Sequence, residues 1–591
     1  MRRTGRVLFI FFILLGSMAG LWLFQSWRET KKLETKQQFQ NVYITSVSGT
    51  TISAVWGEEE KTWESVSEVQ VEGIADVELM EGKVVKITKK PEEITGKILN
   101  IKEQTITLEE YGEIPLHPDF VVYHRDKSGK IQCGNLSELT VGSASVRFVA
   151  AGKEICAAVM EEEELENIRV LLKNNDGTSY DMDKVIVTAD TDYTVRQNGN
   201  ITAHKKGEKT TFSRENTQET VVISTGGKGK LQIEGLKRQQ GVPWYRGDFE
   251  LTGSEGGIRV INEVSLEEYL YSVVPSEMPT EYSPEALKAQ AICARTYAVQ
   301  QMKNHRLAKE GAHVDDSISF QVYNNLQEDE KAIQAVQATK NQVVTYENKV
   351  VTTYFFSASC GSTSGMKDVW FTKKDVSYLP AQIQTIPQKK QDLSNEETFQ
   401  SFIKKPVQTV DNTSPWYRWE TTISAKKIKK TLEENIARRY EVNKTQIQTK
   451  NSDGNWYSTP VKTVGDIKNI TIKKRGCGGV VSMIEIEGSK NTIQVYTEYN
   501  IRLMLAGEKT IYKRQDKQEV TGLSLLPSGF FYMEKKGDSY VFHGGGYGHG
   551  VGMSQNGANT MAKQGKNYQD ILTFYFPETK VQERQYLSGQ K

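Results

Sequence analysis

Between residues 41 and 160 apolar and polar positions alternate in short runs, the period of half-buried strands. VYITSVSGTTISAVW (Val42–Trp56) turns about Ser48-Gly49, a hairpin signal. KILNIKEQTITL (Lys97–Leu108) repeats that rhythm. A second strand-like run follows each, EGKVVKI (Glu81–Ile87) and SASVRFV (Ser143–Val149). Residues 41–160 therefore read as two related small β units, an internal duplication. The run EEEELE (Glu161–Glu166) reads as an acidic linker and a boundary. Strand patterns resume at IRVLLKNNDG from Ile168 and continue through VIVTAD (Val185–Asp190) and TVVIST (Thr220–Thr225). Residues 167–585 form the main domain. Its middle, about 384–466, is rich in lysine and helix-prone, and contains Trp416, Tyr417 and Trp419.

Two stretches break the strand pattern. Val7–Phe24 is uncharged and almost wholly apolar, behind Arg2, Arg3 and Arg6. It is about long enough to cross a bilayer as a helix. Ser17-Met18-Ala19 offers a cleavage site, but the apolar run continues through Leu21, Trp22, Leu23 and Phe24, which favours an uncleaved anchor. Residues 1–27 are read as a single-pass membrane anchor, 28–40 as a charged stalk, and the body as extracytoplasmic. The second stretch is VVPSEMPTEYSPEALKAQAICARTYAV (Val273–Val299). It sets one carboxylate, Glu277, between Pro275 and Pro279, which predicts a stiff turn. Ser283-Pro284-Glu285 is a helix-start signal. Leu287, Ala291, Ala294 and Ala298 then mark a buried helical stripe, with Lys288, Arg295 and Met302 on a neighbouring face.

Charge adds little: 75 Lys+Arg against 74 Asp+Glu leave a net of +1, so nothing argues for nucleic acid as a partner. Five cysteines stand in no CxxC spacing, which leaves no evident zinc ribbon; Cys133 and Cys156 can pair in an oxidising compartment. The strand pair QVVTYENKVVTTYFFSAS turns at Glu347-Asn348 and ends in Ser359-Cys360-Gly361-Ser362-Thr363, small and polar as a sugar-binding or backbone-lined cleft requires. FHGGGYGHGVGMSQNGANTMAKQG (Phe542–Gly565) carries glycines that let a backbone approach a ligand, and His543 and His549 on a surface read as exposed. Ser554 is placed to cap a helix ending at Gly565. The block lacks the Lys-Ser/Thr of a nucleotide loop, and no cofactor is expected. YQDILTFYF (Tyr568–Phe576) reads as a closing amphipathic helix.

The Glu277 and glycine-histidine blocks, with SASCGST and IRLML between them, resemble the stage II sporulation protein D family of peptidoglycan lytic transglycosylases and related amidase enhancers. The resemblance spans about Ile168 to Lys580 and leaves residues 41–160 unexplained. It implies an extracytoplasmic, mixed α/β but largely β domain whose cleft binds glycan strands. It implies Glu277, in the E-M-P motif, as the catalytic acid. Arg295, Ser359, Gly361, Tyr547, His549 and Gln555 are then the expected substrate-binding residues. Some members bind zinc through cysteine and histidine after the glutamate helix. Here GAHVDDSISFQVYNN keeps His313 and Gln321-Val322-Tyr323 but has no cysteine, so no metal ligand is assigned.

The expected reaction is cleavage of the MurNAc–GlcNAc bond with the sugar's own 6-hydroxyl as nucleophile, so one carboxyl suffices as acid and base. Asp315 and Asp316 are the candidates if a second is needed. The alternative is a non-catalytic glycan-binding protein that activates a partner cell-wall amidase. A third reading is a structural component of a cell-envelope complex.

Overall fold

The computed structural model describes residues 36–584 apart from 127, 162–163, 240, 325–327, 373–374, 406 and 508. The expected anchor lies outside the described residues, as does most of the stalk. Among the described residues no helix is long and apolar enough to cross a membrane. The protein is mixed α/β and strand-rich, with several separate sheets. Two compact units are distinguished. The first holds the chain up to Leu172 with Val260–Glu263 and Met302–Asp315; the second holds Lys173–Arg259, Val264–Gln301 and the chain from Asp316. Glu161, the first residue of the acidic run, still belongs to a strand, and the division comes after Leu172.

The first unit opens with β1 (Lys36–Ser48), β2 (Thr51–Trp56), β3 (Glu59–Ser65), β4 (Gly73–Met80) and β5 (Lys83–Lys89). They close a barrel in the order β1-β2-β3-β5-β4, with β3 and β5 parallel. β1 serves both β2 and β4 because its register shifts between Phe39 and Val42, where Asn41 takes φ 54°. Such a bulge bends a strand around a barrel. Val42, Ile44, Ile52, Ala54, Val77 and Leu79 fill the interior.

There follow β6 (Glu92–Thr95), β7 (Ile98–Ile101), β8 (Thr105–Leu108), β9 (Gly112–Arg125), β10 (Ile131–Gly134), β11 (Arg147–Ala151) and β12 (Glu154–Glu161). They lie in the order β6-β11-β12-β9-β8-β7, with β10 beside β9 and β9 parallel to β12. Taking β6 and β7 as one strand interrupted at Gly96-Lys97, both assemblies follow the order first-second-third-fifth-fourth with a parallel third–fifth pair. The hairpin β1–β2 then corresponds in strand order to β7–β8. EGKVVKI forms the fifth strand of its assembly and SASVRFV contributes to the fourth of the other, so that pair of segments is one strand out of step. The two assemblies share a cluster of Tyr43, Val55, Ile74, Tyr123, Ile131 and Val149, and the Tyr123 hydroxyl donates to the Asn41 carbonyl at 2.7 Å. All five cysteines are free thiols, so the Cys133–Cys156 pair is not formed.

In the second unit Trp419, Leu432, Ile484, Val495, Met504, Phe531 and Phe542 anchor a large core. Two five-stranded sheets frame it, one centred on Trp419–Ser424 and one on Thr492–Tyr496. The stretch expected to be helical contains the helices Glu396–Lys404 and Ala425–Val442, but also the strands Trp419–Ser424, Ile447–Lys450 and Trp456–Tyr457. The long helix is amphipathic: Ile428, Leu432, Ile436 and Tyr440 are its buried residues. The strands beside it are short, so lysine-rich composition masked them.

Candidate functional site

Glu277 is the last residue of a helix, Leu266–Glu277, rather than part of an irregular turn. Ser265 caps the start, its hydroxyl accepting the Glu268 N–H at 3.3 Å. Pro275 is accommodated in the final turn. Pro279 drives Met278 to extended geometry (φ −134°, ψ 134°), which stops the helix. The carboxylate accepts one hydrogen bond, from the Val322 N–H at 2.8 Å, and among the described residues no cation pairs with it. The side chain keeps partial exposure. Burial pushes its carboxyl up to about 7, against the small opposing effect of the Val322 hydrogen bond. Val322 is itself held through its neighbour: the Gln321 amide donates to the Ala294 carbonyl at 3.2 Å and accepts from the Tyr269 hydroxyl at 3.4 Å.

The helix Pro284–Met302 begins where the Ser-Pro-Glu signal places it. Leu287, Ala291, Ala294 and Ala298 are all fully buried, but so is Arg295. The helix is enclosed nearly all round, so it has no polar face to present to a ligand. Arg295 donates to both carboxylate oxygens of Glu267 at 2.8 and 2.7 Å, and to the carbonyls of Val336 and Gln342 at 3.1 and 3.2 Å. It pins the first turn of the Glu277 helix from below. Its charge is spent on Glu267, so it does not pull the Glu277 carboxyl down.

The end of the glycine-histidine block packs against the start of the Pro284–Met302 helix. The Tyr282 hydroxyl donates to the Asn556 side-chain oxygen at 3.1 Å, and the Ser283 N–H to that of Asn559 at 2.9 Å. Gln555 is almost buried and donates to Gln290 at 3.4 Å. The helix carrying these residues, Gln555–Lys563, is capped by Ser554 as expected. The glycines serve a different surface from the one anticipated. Tyr547 and Ala358 exchange backbone hydrogen bonds at 2.7 and 3.1 Å. A Cβ on Gly552 (φ 79°) would sit 2.1 Å from the Tyr354 carbonyl oxygen. The close approach is to the protein's own backbone.

His549 is not an exposed loop residue. Its Nδ1 accepts from the Val551 N–H at 3.1 Å, and the rings of Trp370, Phe356 and Tyr354 surround it at 5.2 to 6.3 Å. Burial, reinforced by the charge of Arg502, lowers it to about 4, so the ring is neutral near pH 7. His543 lies in a strand. Tyr547 keeps partial exposure and packs on Trp416 with ring centroids 4.9 Å apart.

Ser359 and Gly361 lie inside rather than along a cleft wall. Gly361 takes φ 99°, and a Cβ there would meet the Tyr417 hydroxyl at 2.9 Å. Ser359 belongs to a knot that the sequence did not reveal. Asp411 is fully buried and accepts from the Ser359 hydroxyl and N–H at 2.7 and 3.2 Å and from the Ser554 hydroxyl at 2.5 Å. Burial raises its carboxyl to about 6 against those hydrogen bonds. It ties the SASC segment to the cap of the glycine-block helix. Its setting, Asp411-Asn412-Thr413-Ser414-Pro415, reads in sequence only as a turn.

The remaining candidates are committed elsewhere. Asp316 accepts from the Arg238 side chain at 2.9 and 2.5 Å, and Asp315 lies in a strand opposite Leu171. His313 accepts from the Arg169 N–H at 3.0 Å through Nδ1, and Nε2 lies 2.9 Å from the Val141 carbonyl. Both of its nitrogens are occupied by backbone.

Comparison with known proteins adds to this geometry. The profile described as stage II sporulation protein (SpoIID) matches residues 254–346, and a domain of unknown function (DUF8618) matches 364–552. Stage II sporulation protein D of Bacillus subtilis (strain 168) is 30% identical over 337 residues, covering 55% of this chain and 76% of its own. The protein of the same name from Bacillus amyloliquefaciens matches at the same identity and coverage. The amidase enhancer of Bacillus subtilis is 28% identical over 336 residues, 52% of this chain and 40% of that protein. With Glu277, its supporting Gln321-Val322 and the glycine-histidine block joined in one unit, the chain belongs to the stage II sporulation protein D family.

Proposed function

We propose that this protein is a peptidoglycan lytic transglycosylase with Glu277 as its general acid and base, acting in cell-wall remodelling during sporulation. One observation carries the reading: a carboxyl held near 7 by burial on a partly exposed residue, with one hydrogen bond and no cation partner among the described residues. Such a group is protonated often enough to donate and basic enough to accept near neutrality. The protonated Glu277 gives its proton to the glycosidic oxygen as the bond from C1 of the muramyl residue breaks. The 6-hydroxyl of that residue adds to C1, and the Glu277 carboxylate takes its proton. The products are a 1,6-anhydromuramyl end and a new 4-hydroxyl, and the enzyme returns to its starting state without water. Tyr547 on Trp416 supplies an aromatic surface of the kind sugar rings pack against. The apolar segment Val7–Phe24 would hold the body at the outer face of the membrane.

The amidase-enhancer similarity favours a second reading, in which the protein binds glycan and activates a cell-wall amidase without cleaving. One experiment separates them. The full chain and Glu277→Gln are incubated with purified peptidoglycan, intact and stripped of stem peptides, and the products are read by mass spectrometry. Anhydromuramyl ends from the wild type and none from the variant support the transglycosylase. Ordinary reducing ends would demand a hydrolase with a second carboxylate. Glycan sedimentation without cleavage by either protein would favour the enhancer role.

A further inference from the structure

A cleft of about 410 Å³ opens in the region matched to the domain of unknown function, lined by Lys404, Arg418, Glu420, Lys513, Lys517 and Tyr532 among others. Its floor is a cross-strand row. Tyr532 stands opposite His543, His543 opposite Glu420, and Glu420 opposite Lys513, which sets all four on one sheet face. Among the described residues the only carboxylate in the lining is Glu420, and it is engaged by His543 Nδ1 at 3.0 Å. His543 stacks on Tyr532 with centroids 4.9 Å apart, and the Lys404 ammonium sits 5.0 Å from the same ring.

The cations are left over. Arg514 pairs with Asp516 at 2.7 Å. Lys404, Arg418, Lys513 and Lys517 have no carboxylate partner among the described residues. Arg418 is fixed in place because its guanidinium donates to the carbonyls of Ile403, Cys360, Tyr417 and Phe402, at 2.7 to 3.2 Å. None of these acceptors neutralises it. In a chain of net charge +1, four uncompensated cations around one concavity form a local positive field. The size suits one or two sugar-sized units.

We propose that this cleft binds an oxyanion, phosphate or carboxylate, carried on a carbohydrate or polyol chain. Lysines act as point charges for such groups, and Tyr532 with His543 gives the chain an apolar face to lie on. This site is separate from Glu277 and does not depend on the cleavage reaction.

Binding is measured by calorimetry on the full chain with an oligo(glycerol phosphate), an oligogalacturonate and a neutral chito-oligosaccharide. At least one anionic probe binds, and more weakly as salt is raised. Lys513→Glu with Lys517→Glu, both at exposed positions, weakens it by about tenfold or more and leaves the neutral probe unaffected. Glu277→Gln leaves anion binding unchanged, so failure of the catalytic reading does not touch this one. The tighter anionic probe names the oxyanion. Absence of binding by both anionic probes, or full affinity in the double variant, overturns the proposal.

Discussion

Glu277 and Asp411 are both carboxylates of the second unit whose burial raises them above their ordinary range, to about 7 and about 6. Their surroundings differ. Asp411 is closed off, with two serine hydroxyls and the Ser359 N–H on its oxygens. Glu277 accepts one backbone hydrogen bond and keeps partial exposure. A raised pKa is therefore no mark of catalysis by itself. What distinguishes Glu277 is unused hydrogen-bonding capacity on a residue that is not fully enclosed. Asp411 has used its capacity to join two segments of chain.

Four measurements on three substitutions test that contrast, taken from the largest effect to the smallest. Glu277→Gln removes the proton donor while keeping the shape, and glycan cleavage should fall by about a thousandfold or more, read as anhydro ends released per hour. Arg295→Met should cost about 3–5 kcal/mol in urea unfolding, because it leaves Glu267 without its bidentate partner. If it instead left stability intact and weakened glycan binding, the scaffold assignment would be wrong. Glu277→Gln also carries a stability signature. A carboxyl raised in the folded state contributes stability below pH 4.5, its ordinary value, and that contribution is lost as pH rises through about 7. The variant has no such loss, so its advantage over wild type should grow across that window to about 3 kcal/mol, measured as the difference in unfolding free energy. Asp411→Asn should lower stability by about 1–2 kcal/mol through a mismatched hydroxyl. Cleavage should survive at temperatures where the variant is folded. Loss of cleavage in a folded Asp411→Asn protein would erase the distinction between the two carboxylates.

Much of the second unit was legible in sequence. The Ser-Pro-Glu helix start, the Ser554 cap and the turn at Glu347-Asn348, with φ 50° and 59°, are local signals with local causes. The Glu277 block and its companion were recognisable from resemblance, and the structure packs the two segments together. Side-chain direction could not. Arg295 lies one helical position from a buried alanine, and only a helix enclosed nearly all round puts its guanidinium in the core. Asp411 carried no signal, because its partners Ser359 and Ser554 lie 52 and 143 residues away. His549 looked exposed because glycines surround it in sequence, whereas aromatic rings from residues 354–370 surround it in space. The strand rhythm of residues 41–160 showed repetition, but the shared strand order of the two assemblies depends on parallel pairings between distant segments, which periodicity does not encode.

The most direct test of the account is the titration of Glu277 itself. The carboxyl carbons of a glutamate-labelled protein are followed by NMR, and the Glu277 signal is identified as the one missing from Glu277→Gln. The expected midpoint is near 7. A midpoint at 4.5, the ordinary value, would mean the group is ionised at neutrality and has no proton to give the leaving sugar, and the proposed acid–base role would fall with it.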